Sequence, residues 1–126
     1  MSMSRICLVA RLGGSVLLAT SMLGMPVAFA ADYAPLDCAK ARSPVERTIC
    51  GNYALGQAEA RMATLYEWTT QLVAMGQRGN IQDDQRAFIR ARESCGPDLA
   101  CLLGTYDRRI DQLQMMMDSI KSKGPF

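Results

Sequence analysis

Histidine is absent from all 126 residues of the sequence. Ser-His and Cys-His catalytic pairs need an imidazole to take up the proton, so the absence excludes both kinds of pair. Histidine is also the commonest ligand for transition metals, and the sequence has no glycine-rich loop of the kind that binds phosphate. We therefore find no positive evidence for an enzyme, and we expect neither a cofactor nor a metal site.

Long apolar segments are missing except near the N-terminus. There, two arginines precede an apolar run over residues 12–25, and the tripeptide AFA at 28–30 has the A-x-A form of a cleavage site. The run is shorter than the ~20 apolar residues that a membrane span needs. We interpret residues 1–30 as a secretory signal peptide cleaved after Ala30. Residues 31–126 then form a single periplasmic or secreted domain, with no membrane span in the mature chain.

The mature chain has no excess of positive or negative charge. The whole sequence has 14 Lys and Arg against 12 Asp and Glu. Arg5 and Arg11 leave with the signal peptide, so 12 cationic residues face 12 acidic ones and the net charge falls from +2 to 0. Because there is no basic stripe, we do not expect the protein to bind nucleic acid.

The number and spacing of the cysteines indicate how they are bonded. Cys7 is lost with the signal peptide, and Cys38, Cys50, Cys95 and Cys101 remain. Four cysteines in a short exported chain predict two disulfides. Of the three connectivities we favour the local one, 38 with 50 and 95 with 101, because each pair brackets a short turn-rich segment. A zinc site is the alternative, but the spacing lacks the paired C-x2-C pattern.

The remaining pattern is helical, and no segment alternates cleanly enough to predict a strand. The predicted elements are a short helix from Pro44 to near Gly51, a second helix from a cap at Asn52 to about Met75, a turn at Gly76–Asn80, a third helix from about Ile81 to Cys95, and a fourth from Pro97 to about Lys121. Asp83 and Asp84 then fall where a helix start favours negative charge. The predicted fold class is all-α, a small disulfide-bonded bundle of one short and three long helices.

The three long helices carry core-facing positions at steps of three or four residues. These positions are Leu55, Glu59, Met62, Tyr66, Thr69 and Val73 in the second helix, Ile81, Gln85, Phe88, Arg92 and Cys95 in the third, and Leu102, Tyr106, Arg109, Leu113, Met116 and Ile120 in the fourth.

Each helix therefore points one charge into the core: Glu59, Arg92 and Arg109. Unpaired buried charges cost several kcal/mol each, so we predict that Glu59 contacts Arg92, Arg109 or both. Gln85 is expected as a further partner, and the hydroxyls of Tyr66 and Tyr106 could extend the network. We interpret this group as a scaffold that fixes the helix register, rather than as a site that acts on a substrate.

Four segments carry a family resemblance: DCAKARSPVERTIC (37–50), LGQAEARMATLY (55–66), QRAFIRARESCG (85–96) and CLLGTYDRRIDQL (101–113). The first resembles D-C-x-K-A-x-x-x-x-E-x-x-I-C and the third Q-x-x-W-x-x-x-R-x-x-C, both typical of the LprI-like family of small exported bacterial proteins. Phe88 stands where that family usually has tryptophan, and Glu59 where it usually has aspartate. The resemblance implies an all-α, disulfide-bonded exported domain that binds and inhibits lysozyme.

An inhibitor of this kind could place a cation or hydrogen-bond donor against the carboxylate pair of a glycosidase. The candidates outside the core-facing positions are Lys40 and Arg42, before the first helix, and Arg78, in the predicted turn. Many lysozymes are basic, so a strongly acidic partner would associate with them faster, and this mature chain is neutral. A second hypothesis therefore stays open, in which the protein is a non-catalytic periplasmic interaction or stress module that binds another envelope protein.

Overall fold

The computed structural model describes residues 33–123, all of whose regular secondary structure is helical. Within these residues a 3-10 turn, Cys38–Lys40, precedes four α-helices: α1 (Pro44–Gly51), α2 (Tyr53–Leu72), α3 (Met75–Ser94) and α4 (Leu99–Lys121). The all-α prediction is confirmed. The predicted signal peptide, residues 1–30, lies outside the described residues. No helix within the described range is both long and apolar enough to span a membrane.

The start of α1 is fixed by a reciprocal cap between Ser43 and Glu46. The Ser43 hydroxyl accepts a hydrogen bond from the Glu46 amide at 3.0 Å, and the Glu46 carboxylate accepts one from the Ser43 amide at 2.9 Å. Pro44 occupies the first helical position, where its missing N–H costs nothing. Asn52 then ends α1 and begins α2, because its amide donates to Ile49 while its side chain accepts from Leu55.

The predicted turn at Gly76–Asn80 is wrong, because those residues lie inside α3. The chain reverses earlier, through the extended backbone of Val73, whose φ and ψ are −107° and 158°. Glycine in a helix costs only about 1 kcal/mol relative to alanine. Tertiary contacts of this segment, such as the buried Ile81, can offset that cost. Asp83 therefore lies in the third turn of α3 and not at its start.

The connection from α3 to α4 uses one residue that must adopt the left-handed region. Gly96 has φ of 57°, which glycine tolerates better than any other residue. Asp98 rather than Pro97 begins the next helix, since its carboxylate accepts from the Cys101 amide at 2.8 Å. The helix starts two residues later than predicted for this reason.

Both predicted disulfides are present. Cys38 is bonded to Cys50 and Cys95 to Cys101, each pair with a Cα–Cα distance of 5.6 Å. The zinc alternative for these cysteines is thereby ruled out. Among the residues that the structure describes, no group of three or more His, Cys, Asp or Glu side chains is placed to hold a metal ion.

The predicted core-facing positions form the core. All of them are buried except Cys95 and Met116, which are partly buried and pack against it. Short connections make α3 antiparallel to both α2 and α4, and α1 covers one end through Val45 and Ile49. Full burial of a Leu, Ile or Met side chain stabilises the fold by about 1.5–3 kcal/mol. The core-facing residues therefore hold the helices in one register.

Candidate functional site

The buried carboxylate of Glu59 has a full set of partners. Its Oε1 atom accepts hydrogen bonds from the Tyr33 hydroxyl and, at 3.1 Å, from the Leu36 amide. Its Oε2 atom accepts from the Tyr106 hydroxyl at 2.7 Å and lies 3.8 Å from Nη1 of Arg92. The predicted pairing of Glu59 with Arg92 and the predicted role of Tyr106 are confirmed. We call Tyr33, Glu59, Arg92 and Tyr106 the Arg92 cluster.

Arg92 closes this cluster from the α3 side. Its Nη1 atom donates to the hydroxyls of Tyr33 (3.2 Å) and Tyr106 (3.5 Å), and Nη2 donates to Glu93 (3.1 Å). The guanidinium carbon lies 5.9 Å from the centre of the Phe88 ring. Burial acts to lower the pKa of Arg92, but the surrounding Tyr106, Tyr33 and Glu59 outweigh it and raise the pKa.

The two phenols of the cluster are donors to Glu59. Burial, and then the charge of Glu59, raise the pKa values of both Tyr33 and Tyr106 above the usual tyrosine value. Both hydroxyls thus keep their protons and can each give a hydrogen bond to Glu59 while receiving one from Arg92. The arrangement is an enclosed scaffold network in which the carboxylate, the two hydroxyls and the Nη atoms of Arg92 have partners, while Nε of Arg92 is buried without a hydrogen bond.

Arg109 does not join this cluster: of the two arginines predicted as partners of Glu59, Arg92 contacts it and Arg109 has other partners. Its Nε atom donates to Gln85 at 2.9 Å and its Nη2 atom to the backbone carbonyl of Ile81 at 3.0 Å. Nη1 donates to Gln112 at 3.3 Å and lies 4.0 Å from the Asp84 carboxylate. Burial lowers the pKa of Arg109, partly offset by Asp84 and Tyr66.

Arg109 is separated from Glu59 because the Tyr33 hydroxyl and the Leu36 amide already donate hydrogen bonds to the Glu59 carboxylate. Tyr33 and Leu36 belong to the extended segment before the 3-10 turn, where no helical period marks a core-facing side chain. Their hydrogen bonds to Glu59 could not be found from spacing. Gln85 is a network member as predicted, but it partners Arg109, and its amide also donates to the Met62 sulfur at 3.2 Å.

The segment 37–43, which we call the capped loop, carries two of the three cations considered for binding. The Cys38–Cys50 disulfide ties it to α1. At its end the Glu46 carboxylate accepts from the Arg42 amide at 2.6 Å. The hydrogen bond from the Ser43 amide, and then this one from the Arg42 amide, lower the pKa of Glu46. The side chains of Lys40 and Arg42 are exposed, and Lys40 pairs with Asp37 at 3.0 Å.

Arg78, the third candidate cation, is placed differently from the prediction. It lies in the first turn of α3 and is only partly exposed. Its Nε atom donates to the Thr70 carbonyl at 2.7 Å, and Nη2 donates to the Val73 carbonyl at 3.5 Å. Carbonyls at a helix C-terminus lack partners within their own helix. Arg78 therefore stabilises the end of α2, and its guanidinium is not free to meet a partner without giving up those bonds.

No protein-family model, curated protein or solved structure matches this chain. The resemblance to the LprI-like family accordingly stays a prediction.

Proposed function

We propose that this chain is an exported, non-catalytic binding protein that inhibits lysozyme-type cell-wall glycosidases through its capped loop. The observation that carries the proposal is the exposure of Lys40 and Arg42 on a segment held at both ends. A disulfide fixes one end of the loop and the capping box at Glu46 fixes the other. A segment ordered before binding loses little conformational entropy when it meets a partner.

The chemistry of the two cations suits the proposed target. Lysozyme-type enzymes cleave with two carboxylates that flank the scissile bond. A guanidinium can hold a carboxylate with two parallel hydrogen bonds, and the Lys40 ammonium adds a second positive charge close by. Insertion of the capped loop into the substrate cleft would therefore neutralise the carboxylates that act on the sugar.

The proposal that the protein is non-catalytic is supported by the buried ionisable groups, because they already bond to one another. Glu59 and Arg92 are committed to each other and to two phenols. Export is supported by the two disulfides, which persist in oxidising compartments, and by the predicted signal peptide.

The test is a turbidity assay of cell-wall lysis by several lysozyme types with the purified domain. Lys40→Glu with Arg42→Glu should abolish inhibition, because both cations become anions facing the carboxylates. Lys121→Glu with Lys123→Glu is the matched control, since Lys121 also pairs with an aspartate three residues earlier, Asp118. The control should inhibit like the parent.

Equal melting temperatures of the parent and both double variants would show that the fold is intact. Inhibition that survives the Lys40 and Arg42 changes would remove the capped loop from the proposal. Arg78→Glu is unsuited to this test, because it would also break the contacts that end α2.

A second candidate function, binding to another envelope protein, is favoured by a different observation. Trp68 and Leu72, four residues apart on α2, are exposed by 54% and 37%, and such side chains are common at protein interfaces. Trp68 is the only tryptophan of the chain, so its fluorescence reports directly on this surface. If the parent inhibits no lysozyme type but an envelope fraction shifts that emission to shorter wavelength, the second function replaces the first.

A further inference from the structure

A groove lies between α3 and α4, with a cavity volume of about 220 Å³. Its apolar wall comes from Ala87, Phe88 and Ala91 on α3. Phe88 is only 6% exposed, so its ring is fixed by the core behind it. Pockets for drug-sized ligands usually hold about 300–1,000 Å³. The space therefore suits a more compact molecule that has an apolar body.

The guanidinium of Arg109 has one nitrogen, Nη1, whose partners line this groove. Nε and Nη2 are held by the scaffold, through Gln85 and Ile81, at 2.9 and 3.0 Å. Nη1 has two weaker partners, Gln112 at 3.3 Å and Asp84 at 4.0 Å, and both of them line the groove. The residue itself is 3% exposed, so its position is fixed by packing and not by solvent.

A second cation stands on the same side of the groove. Arg108 lines it, and the Arg108 guanidinium donates to the buried Thr105 hydroxyl at 3.1 Å. The acidic side chain in the lining is Asp84, whose side chain is 62% exposed to solvent. The lining thus contains two guanidiniums and one solvated carboxylate, which is an excess of one positive charge.

We propose that the α3–α4 groove binds a small carboxylate anion, whose carboxylate is held by Arg109 and Arg108 and whose apolar body lies against Phe88. Arg109 is a buried cation whose nearest described carboxylate is at the outer limit of ion-pair distance, an arrangement that is costly for a protein. A bound anion supplies the missing close counterion. Hydrogen bonds from guanidinium to carboxylate are also stronger than those to the neutral amide of Gln112.

The site is separate from the capped loop, and the inference does not rest on the proposed inhibition of lysozyme. It is tested by titrating the purified domain with propionate and with benzoate, following amide shifts in two-dimensional NMR spectra. Benzamide and benzylamine, at matched concentration, are the neutral and cationic controls. Both carboxylates should bind saturably with the shifts centred on residues 84–91 and 105–112, and neither control should.

Four variants sharpen the result. Ala91→Leu fills the groove from an exposed position of α3 and should abolish binding, whereas Ala60→Leu, at an exposed position of α2, should not. Arg108→Gln should weaken binding about tenfold, the change expected for one hydrogen bond to a charged group. Asp84→Asn should strengthen binding several-fold, because it removes the carboxylate that competes for Nη1 of Arg109.

The Asp84 variant keeps the proposal falsifiable, because damage to the fold would weaken binding and not strengthen it. Added salt should also weaken binding, since the contact is charge-driven. No saturable shift with either carboxylate overturns the proposal. Binding that is equal for benzoate and benzamide, or that survives Ala91→Leu, overturns it as well.

Discussion

Two buried arginines, Arg92 and Arg109, lie in one small core and have opposite surroundings. Arg92 is 6% exposed and Arg109 is 3% exposed, so burial does not distinguish them. Arg92 has a buried carboxylate, Glu59, and two phenols that bridge to it. Arg109 is held by a neutral amide and a backbone carbonyl, and its carboxylate, Asp84, is in solvent. The first arrangement is closed and the second can accept a further anion.

The difference shows that a charged residue at a core-facing position does not by itself reveal its role. The role of a buried arginine depends on whether its carboxylate partner is also buried. The neighbours of Arg92 raise its pKa, whereas burial lowers that of Arg109. Both residues remain charged, but only the Arg92 cluster contains its own counterion.

The largest effect is expected for Glu59→Ala. The change leaves Arg92 buried without its counterion and removes the acceptor of the Tyr33 and Tyr106 hydroxyls. Breaking a buried ion pair costs about 3–5 kcal/mol of the free energy of unfolding, measured by urea denaturation. Glu67→Ala, at an exposed position of the same helix, is the control and should change stability by no more than about 0.5 kcal/mol.

A smaller effect is expected for Tyr33→Phe. The ring and its edge-to-face contact with Tyr66, at 6.0 Å between centroids, are kept, while the hydroxyl bridge between Glu59 and Arg92 is lost. Loss of a buried hydrogen bond to a charged group should cost about 1–3 kcal/mol. Tyr53→Phe, at a residue that is 83% exposed, should leave the denaturation midpoint unchanged. Equal midpoints for both variants would mean that Tyr33 does not lie in the cluster.

The smallest effect on stability is expected for Asp84→Asn. It removes the carboxylate nearest to Arg109, but that carboxylate is 4.0 Å away and its side chain is 62% exposed. Exposed ion pairs contribute about 0–1 kcal/mol, so the free energy of unfolding should fall by no more than about 1 kcal/mol. A loss as large as that of Glu59→Ala would show that both arginines depend on their carboxylates equally.

The sequence predicts the parts of this fold that depend on local spacing. Steps of three and four residues identify the core-facing side chains, because such side chains share one face of a helix. The local disulfides are likewise short-range. Both disulfides are confirmed, and the core-facing positions are buried apart from Cys95 and Met116, which are partly buried. The pairing of Glu59 with Arg92 also follows from spacing, since both residues fall at core-facing positions and buried charges need partners.

The parts that spacing cannot predict depend on contacts between distant segments. Tyr33 reaches Glu59 from 26 residues away and displaces Arg109 as its partner. Gly76 and Gly79 remain helical in a segment that packs through Ile81 and whose Arg78 binds the end of α2. The groove beside Arg109 likewise depends on how α3 and α4 separate, and no motif in either helix marks it.

The most direct test of the two-arginine account is a pair of double-mutant cycles measured by urea denaturation. Glu59→Gln is combined with Arg92→Met in one cycle and with Arg109→Met in the other. Contacting residues show coupling energies of about 0.5–3 kcal/mol, whereas independent sites add to within about 0.3–0.5 kcal/mol. We expect coupling within that range of about 0.5–3 kcal/mol for Glu59 with Arg92, and additivity for Glu59 with Arg109. Equal coupling in the two cycles would contradict the account.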